Sequence, residues 1–162
     1  MIKQLFLLIL FALTMFSCQE DEQAPVVFLD GTYEGIVMPT GSTSLQTMIF
    51  GQDGSLIVRH YRRIEGTEEP CLSYYQKGTY SIVAEDFTFT VEEEYRPDPT
   101  INYAGCPGES ILINQLENAP MTISGNLIFS EEKRVFTLSY DCADMLNMAA
   151  CAPAIEFTRI NS

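Results

Sequence analysis

Apolar and polar residues alternate with a period of two along most of the chain, a pattern typical of half-buried β-strands. The clearest case is residues 87–95, in which Phe87, Phe89 and Val91 form one apolar face. Turn-forming residues separate the alternating segments, which predict eight or nine antiparallel strands. These segments are residues 31–38, 45–50, 55–63, 72–83, 87–95, 110–116, 121–129, 135–141 and 154–160.

The intervening residues predict how these strands connect. Residues 51–54, Gly-Gln-Asp-Gly, predict a tight hairpin because glycine readily adopts positive φ. Gly78, inside a long segment, predicts a bend or a bulge. Residues 96–108, rich in Pro, Gly, Asp and Asn, predict a loop, and residues 144–150 predict one short helix. The 162-residue chain therefore predicts a single all-β domain, either an up-and-down barrel or a sandwich.

Residues 1–17 have the composition of a signal peptide. Lys3 supplies the positive charge, and residues 5–13 are an apolar run shorter than the ~20 residues that span a bilayer. Ser17-Cys18 follows, and this arrangement resembles the lipobox of bacterial lipoproteins. The resemblance implies cleavage after Ser17 and attachment of a diacylglyceryl group to the sulfur of Cys18. Two or more acyl chains are enough for stable anchoring in a membrane.

An acidic cluster follows the predicted lipidation site. It resembles the export signal of Bacteroidetes-type surface lipoproteins, which implies the outer membrane and exposure at the cell surface. A solvated tether over residues 18–29, which holds the domain at residues 30–162 away from the lipid, is compatible with the same residues. The cluster consists of Gln19, Glu20, Asp21 and Glu22.

The five cysteines fit this interpretation, since lipidation of Cys18 leaves four. Four thiols in an exported domain predict two disulfides, with three possible connectivities. We favour Cys71–Cys106, because both residues lie in proline-containing loops, and Cys142–Cys151, because they are close in sequence.

Short motifs resemble small lipocalin-like bacterial lipoproteins. They are Gly31-Thr32-Tyr33, the Phe50 to Gly54 hairpin and Gly78-Thr79-Tyr80. The resemblance implies an up-and-down barrel, whose interior is either packed solid or holds one small ligand. The candidate residues for this pocket or core are Tyr33, Tyr80, Phe87, Phe89, Phe136 and Tyr140.

Charge narrows the classes of partner. The formal net charge of −13 argues against nucleic acid as a ligand, because phosphate recognition depends on clustered cations. The one cationic cluster contains His60, Arg59, Arg62 and Arg63. We interpret it as a source of cross-strand ion pairs with the acids at 92–94, and the alternative is an anion site. An imidazole beside guanidinium groups would tend to be neutral.

No motif of a hydrolase, a phosphate-binding loop or a metalloprotease occurs. With a single histidine and no CxxC pair, we expect no catalytic residues, no metal site and no cofactor. Two functions remain open. One is a lipid-anchored module that binds a small hydrophobic ligand, and the other is a solid barrel that contacts envelope proteins through its loops.

Overall fold

The structure, a computed structural model, describes residues 25–37, 44–64, 69–103, 105–116, 120–141 and 153–160. Nine β-strands make up most of these residues, and two short 3-10 segments cover Glu109–Ile111 and Glu131–Lys133. The strands are β1 (Gly31–Val37), β2 (Ser44–Phe50), β3 (Ser55–Arg62), β4 (Cys71–Val83), β5 (Asp86–Pro97), β6 (Leu112–Asn114), β7 (Met121–Ser130), β8 (Val135–Tyr140) and β9 (Ile155–Ile160).

Eight of the strands form a closed antiparallel barrel, which confirms the predicted fold class and excludes the sandwich. Sequential strands pair with each other, and pairing of β1 with β9 and of β4 with β5 closes the sheet. The short β6 lies outside this circuit. It pairs with the last residues of β5, beyond the point where β5 leaves β7. The last residues of β5 therefore pair with β6 and not with β7.

Strand boundaries follow the alternation closely, with two exceptions. β5 continues to Pro97 because its end pairs with β6, although residues 96 and 97 were expected to begin the loop. The segment at 110–116 contributes only three strand residues, after a 3-10 turn. The helix predicted at 144–150 lies outside the described residues. In the part of the chain that the structure describes, no helix has the length and apolarity needed to cross a bilayer.

Two of the predicted turn features are present. Gly54 has φ of +83°, and the Asp53 carboxylate accepts a hydrogen bond from the Ser55 amide at 3.0 Å, so the β2–β3 hairpin is held locally. The β4–β5 register shifts between Lys77 and Gly78. A Cβ atom on Gly78 would lie 1.9 Å from the carbonyl oxygen of Thr90, so the ribbon requires glycine there.

The interior of the barrel is filled by aromatic rings in mutual contact. Phe136 is fully buried, and the centroid of its ring lies 4.9 Å from Phe157, 5.1 Å from Tyr33 and 6.0 Å from Phe50. Such rings contribute large apolar areas and favourable edge contacts. The rest of the buried core comes from inward-facing positions on the other strands, including Phe87, Phe89 and Val91.

One end of the barrel is closed by the segment that precedes β1. Leu29 is 3 % exposed and packs in the core. The hydroxyl of Tyr80 accepts a hydrogen bond from the Leu29 amide at 2.7 Å and donates one to the Leu29 carbonyl at 3.1 Å. The described residues that precede β1 therefore lie at this closed end, and the opposite end is the mouth.

Candidate functional site

A layer of polar side chains lies inside the barrel at the mouth, above the aromatic core. These residues belong to inward-facing positions, because Gln46, His60 and Tyr74 are direct cross-strand partners on β2, β3 and β4. We call this group the mouth layer. It consists of Gln46, His60, Tyr74, Gln76, Glu94 and Tyr140.

Hydrogen bonds connect the mouth layer across the barrel. Gln46, which is 4 % exposed, donates from Nε2 to the Tyr140 hydroxyl at 3.1 Å. Gln76, 5 % exposed, donates from Nε2 to Glu94 at 2.7 Å. Buried amides with partners of this kind are satisfied and specify a single arrangement. The layer is therefore a built part of the interior.

Glu94 and Arg96 form an ion pair at the edge of this layer. Burial raises the pKa of Glu94, but hydrogen bonds from Arg96 and Gln76, with the charge of Arg96, outweigh it and leave this pKa below its ordinary value. The hydrogen bond with Glu94 raises the pKa of Arg96. The carboxylate therefore stays charged at neutral pH and fixes the guanidinium.

The ring of Tyr74 is held between the side chains of His60 and Arg96. Its ring stacks on the imidazole of His60 with centroids 4.0 Å apart, and the Arg96 guanidinium lies 4.3 Å from the ring centroid. Burial raises the pKa of the Tyr74 hydroxyl, so the phenol is neutral. These contacts leave little freedom to the ring.

A cleft of about 510 Å³ opens beside this ring at the mouth. Its volume is in the range of sites for small molecules. Aromatic and proline side chains supply its apolar walls, and arginine, serine and glutamine supply its polar groups. The lining residues are Arg62, Ser73, Tyr74, Arg96, Pro97, Pro99, Tyr103 and Gln115.

A β-bulge brings two successive residues of β4 to this cleft. His60 pairs with Tyr74 and Tyr61 pairs with Leu72, so Ser73 is the extra residue. A bulge re-aims side chains that would otherwise alternate between faces. Ser73 and Tyr74 therefore both line the cleft.

The predicted disulfide Cys71–Cys106 is present and confirms that pairing. It joins the first residue of β4 to the segment between β5 and β6, and both of these border the cleft. The pair Cys142–Cys151 lies outside the described residues. So do Cys18 and the predicted export signal Gln19, Glu20, Asp21 and Glu22.

The six aromatic residues considered as pocket or core occupy different places. Five of them are packed in the core, and only Tyr140 belongs to the mouth layer, where burial raises its pKa to about 12. The five core residues are Tyr33, Tyr80, Phe87, Phe89 and Phe136. None of these six residues lines the cleft at the mouth.

The cationic cluster expected on β3 is split by the alternation of the strand. Arg59 pairs with Glu109 at 3.7 Å, and the acids Glu93 and Glu94 pair with Lys77 and Arg96 instead. Only Arg62 of the cluster reaches the cleft. Among the residues that the structure describes, no three His, Cys, Asp or Glu side chains come together as ligands of a metal ion would.

His60 is the one histidine, and we predict that its pKa is depressed for a structural reason. Burial lowers this pKa to about 4, although a hydrogen bond with Gln76 and the charge of Glu94 oppose the shift. Its ordinary value is 6.5, so between pH 6.5 and 4 the unfolded chain binds a proton that the folded protein does not. Stability is therefore complete above pH 6.5 and falls as the pH drops towards 4, by about 2 kcal/mol between pH 7 and pH 5.

The measurement is a proton NMR titration of the single imidazole, together with denaturant unfolding at pH 7 and pH 5. His60→Gln is the control, and its stability should change less between these two pH values. Glu94 does not interfere, because its lowered pKa confines its contribution to more acidic solution. An imidazole that titrates near 6.5 in the folded protein would contradict the prediction.

Several residues of this site carry only a weak sequence signal. Gln46 lies at an inward position in phase with Met48 and Phe50, and a glutamine on an apolar face is such a signal. Arg96 and Tyr103 lie in the expected loop, where no periodicity indicates a face, and Gln115 lies near the end of the strand expected at 110–116.

No protein-family model, no curated protein and no solved structure matches the chain.

Proposed function

We propose that this protein is a lipid-anchored, non-catalytic binding protein of the bacterial outer membrane, displayed at the cell surface, whose barrel takes a small ligand at its mouth. The observation that carries the proposal is the cleft of about 510 Å³ above a closed and packed interior. The anchor rests on the sequence alone, through Cys18 and the acidic residues that follow it.

The position of the chain entry supports this arrangement. Six residues, 19–24, separate Cys18 from the first described residue, and the segment at 26–30 then crosses the closed end. At ~3.4 Å per residue such a tether reaches about 20–25 Å. Lipid anchoring would therefore place the closed end towards the membrane and the mouth away from it, open to a ligand from the aqueous side.

The packed interior also argues against the wholly hydrophobic ligand that the sequence suggested. The rings once considered as the lining of an apolar pocket contact one another, so a wholly hydrophobic molecule has no place among them. The cleft combines Tyr74, Tyr103 and prolines with guanidinium groups. A small molecule with an apolar part and a polar group fits this composition.

The alternative is a solid barrel that binds an envelope protein through its surface. Its supporting observation is the same packed core together with exposed Ile101 and Ile113 on the segment that borders the mouth, at 43 % and 42 %. Scattered exposed apolar residues are common on protein surfaces. We therefore place this function second.

Native mass spectrometry of the mature protein, purified from its own membrane, tests both parts of the proposal. We expect a covalent mass increase from the acylated glyceryl group, and a non-covalent ligand that dissociates on unfolding. Cys18→Ala should abolish the covalent mass increase. Gln115→Trp, which fills the cleft, should remove the non-covalent ligand. Thr137→Trp, on an outward strand position, is the matched control for the added indole.

The two parts can fail separately. An unmodified Cys18 in the membrane fraction would contradict the anchor. A wild-type protein without any bound small molecule, or a ligand retained by Gln115→Trp, would contradict binding at the mouth.

A further inference from the structure

We infer that the cleft at the mouth binds a small organic anion, with the carboxylate recognised by the Arg62 guanidinium and the Ser73 hydroxyl and the apolar part by Tyr74 and Tyr103. This rests on the proposed function and names the class of ligand for the same site.

The described lining of the cleft is cationic in an acidic protein. The chain carries a formal net charge of −13, yet among the residues that the structure describes the charged ones lining this cleft are Arg62 and Arg96, without a carboxylate. Glu94 neutralises Arg96 from the adjoining layer. The Arg62 side chain makes no ion pair within the part of the chain that the structure describes. Arg62 is therefore the group that gives the cleft a net positive charge.

Ser73 carries a buried hydroxyl without a hydrogen-bond partner among the described residues. The Oγ atom of Ser73 is shielded from solvent and makes no hydrogen bond within the described residues. Unsatisfied polar atoms in such positions are rare and costly, and a functional site is one of their explanations. The bulge that makes Ser73 the extra residue of β4 places this residue in the lining of the cleft.

The aromatic wall that Tyr74 forms in the cleft is pre-organised. Tyr74 is stacked on His60 and contacted by Arg96, which Glu94 holds in turn. A ring whose orientation is already fixed loses little entropy when a flat ligand group packs on its accessible edge.

Guanidinium groups suit a carboxylate because they offer parallel N–H donors in a planar fork.

The test compares naphthalene-2-carboxylate with its uncharged amide, naphthalene-2-carboxamide, by isothermal titration of the full mature protein in detergent. The two probes have nearly the same shape and differ in charge. We expect the acid to bind about tenfold more tightly than the amide, the size of effect that one charge-assisted hydrogen bond produces. Arg62→Gln should weaken binding of the acid about tenfold and leave binding of the amide unchanged.

Arg63→Gln is the matched control, because Arg63 is the adjacent exposed arginine and does not line the cleft. Ser73→Ala should also weaken binding of the acid selectively, and unfolding curves of all three variants report whether the fold is retained. Equal affinity for the acid and the amide, unchanged by Arg62→Gln, would overturn the inference and leave binding at the mouth intact. Binding of neither probe would also overturn it. Binding at the mouth would itself fail if the native protein carried no ligand, or if Gln115→Trp retained one.

Discussion

Phe136→Ala is expected to lower the free energy of unfolding by about 3–5 kcal/mol, the usual cost of truncating a buried phenylalanine. Phe136 is fully buried, and its ring contacts those of Tyr33, Phe50, Phe129 and Phe157. Because these neighbours belong to several strands of a closed sheet, they cannot collapse easily into the space that the ring leaves. Urea unfolding of the mature domain measures the difference.

Ile128→Ala provides the control on the neighbouring strand, since Ile128 is 51 % exposed and points outward. Its removal should change stability by less than about 0.5 kcal/mol. The comparison also tests where a ligand binds. A loss below about 1 kcal/mol for Phe136→Ala, together with uptake of fatty acids by the wild-type protein, would show that the interior is a pocket and not a core.

Removal of the disulfide by Cys71→Ser with Cys106→Ser is expected to cost about 4 kcal/mol. The two cysteines are 35 residues apart, and a cross-link over that length strongly restricts the unfolded chain. Cys71 is also 2 % exposed, so the serine hydroxyl would be poorly solvated there. The double substitution removes both cysteines, so no free thiol of this bridge remains. Thermal unfolding measures the loss of stability.

The same variant should bind the ligand of the mouth more weakly. The bridge ties the start of β4 to the segment that carries Pro99 and Tyr103, so its loss frees one wall of the cleft. Peptide mapping without reduction is the control for the pairing. A peptide that joins Cys71 to Cys142 or Cys151, or an equally stable double variant, would contradict this prediction.

The amino-acid sequence alone was sufficient for the fold class and for much of the detail within strands. Alternation placed Phe87, Phe89 and Val91 on one face, and all three are buried in the barrel. Such patterns are local, because side chains in a strand repeat every second residue whatever the strand pairs with. The hairpin at Gly54 and the bulge at Gly78 followed from the same kind of local rule.

The positions of the residues in the cationic cluster could not be predicted from the sequence of one strand. Arg59, His60 and Arg62 are close in sequence, but strand alternation puts Arg59 on the opposite face from His60, and only Arg62 of the three lines the cleft. The neutral state expected for His60 has burial as its main cause, with the Arg96 charge a smaller contribution. Burial depends on the other strands that surround a residue, and the sequence of one strand does not contain that information.

The sequence by itself determined that this chain forms strands, where most of them begin and end, and that Cys71 and Cys106 form a bridge, although Cys71 begins β4 and does not lie in the expected loop. Only the tertiary structure decided that the aromatic residues pack into a core and that the cavity lies at the mouth. Closure of the barrel brings Gln46 of β2 to Tyr140 of β8, and the register of β4 with β5 brings Gln76 to Glu94 and Arg96 to Tyr74. These contacts depend on strand register and closure, which join residues far apart in the chain and leave no periodic signal in it.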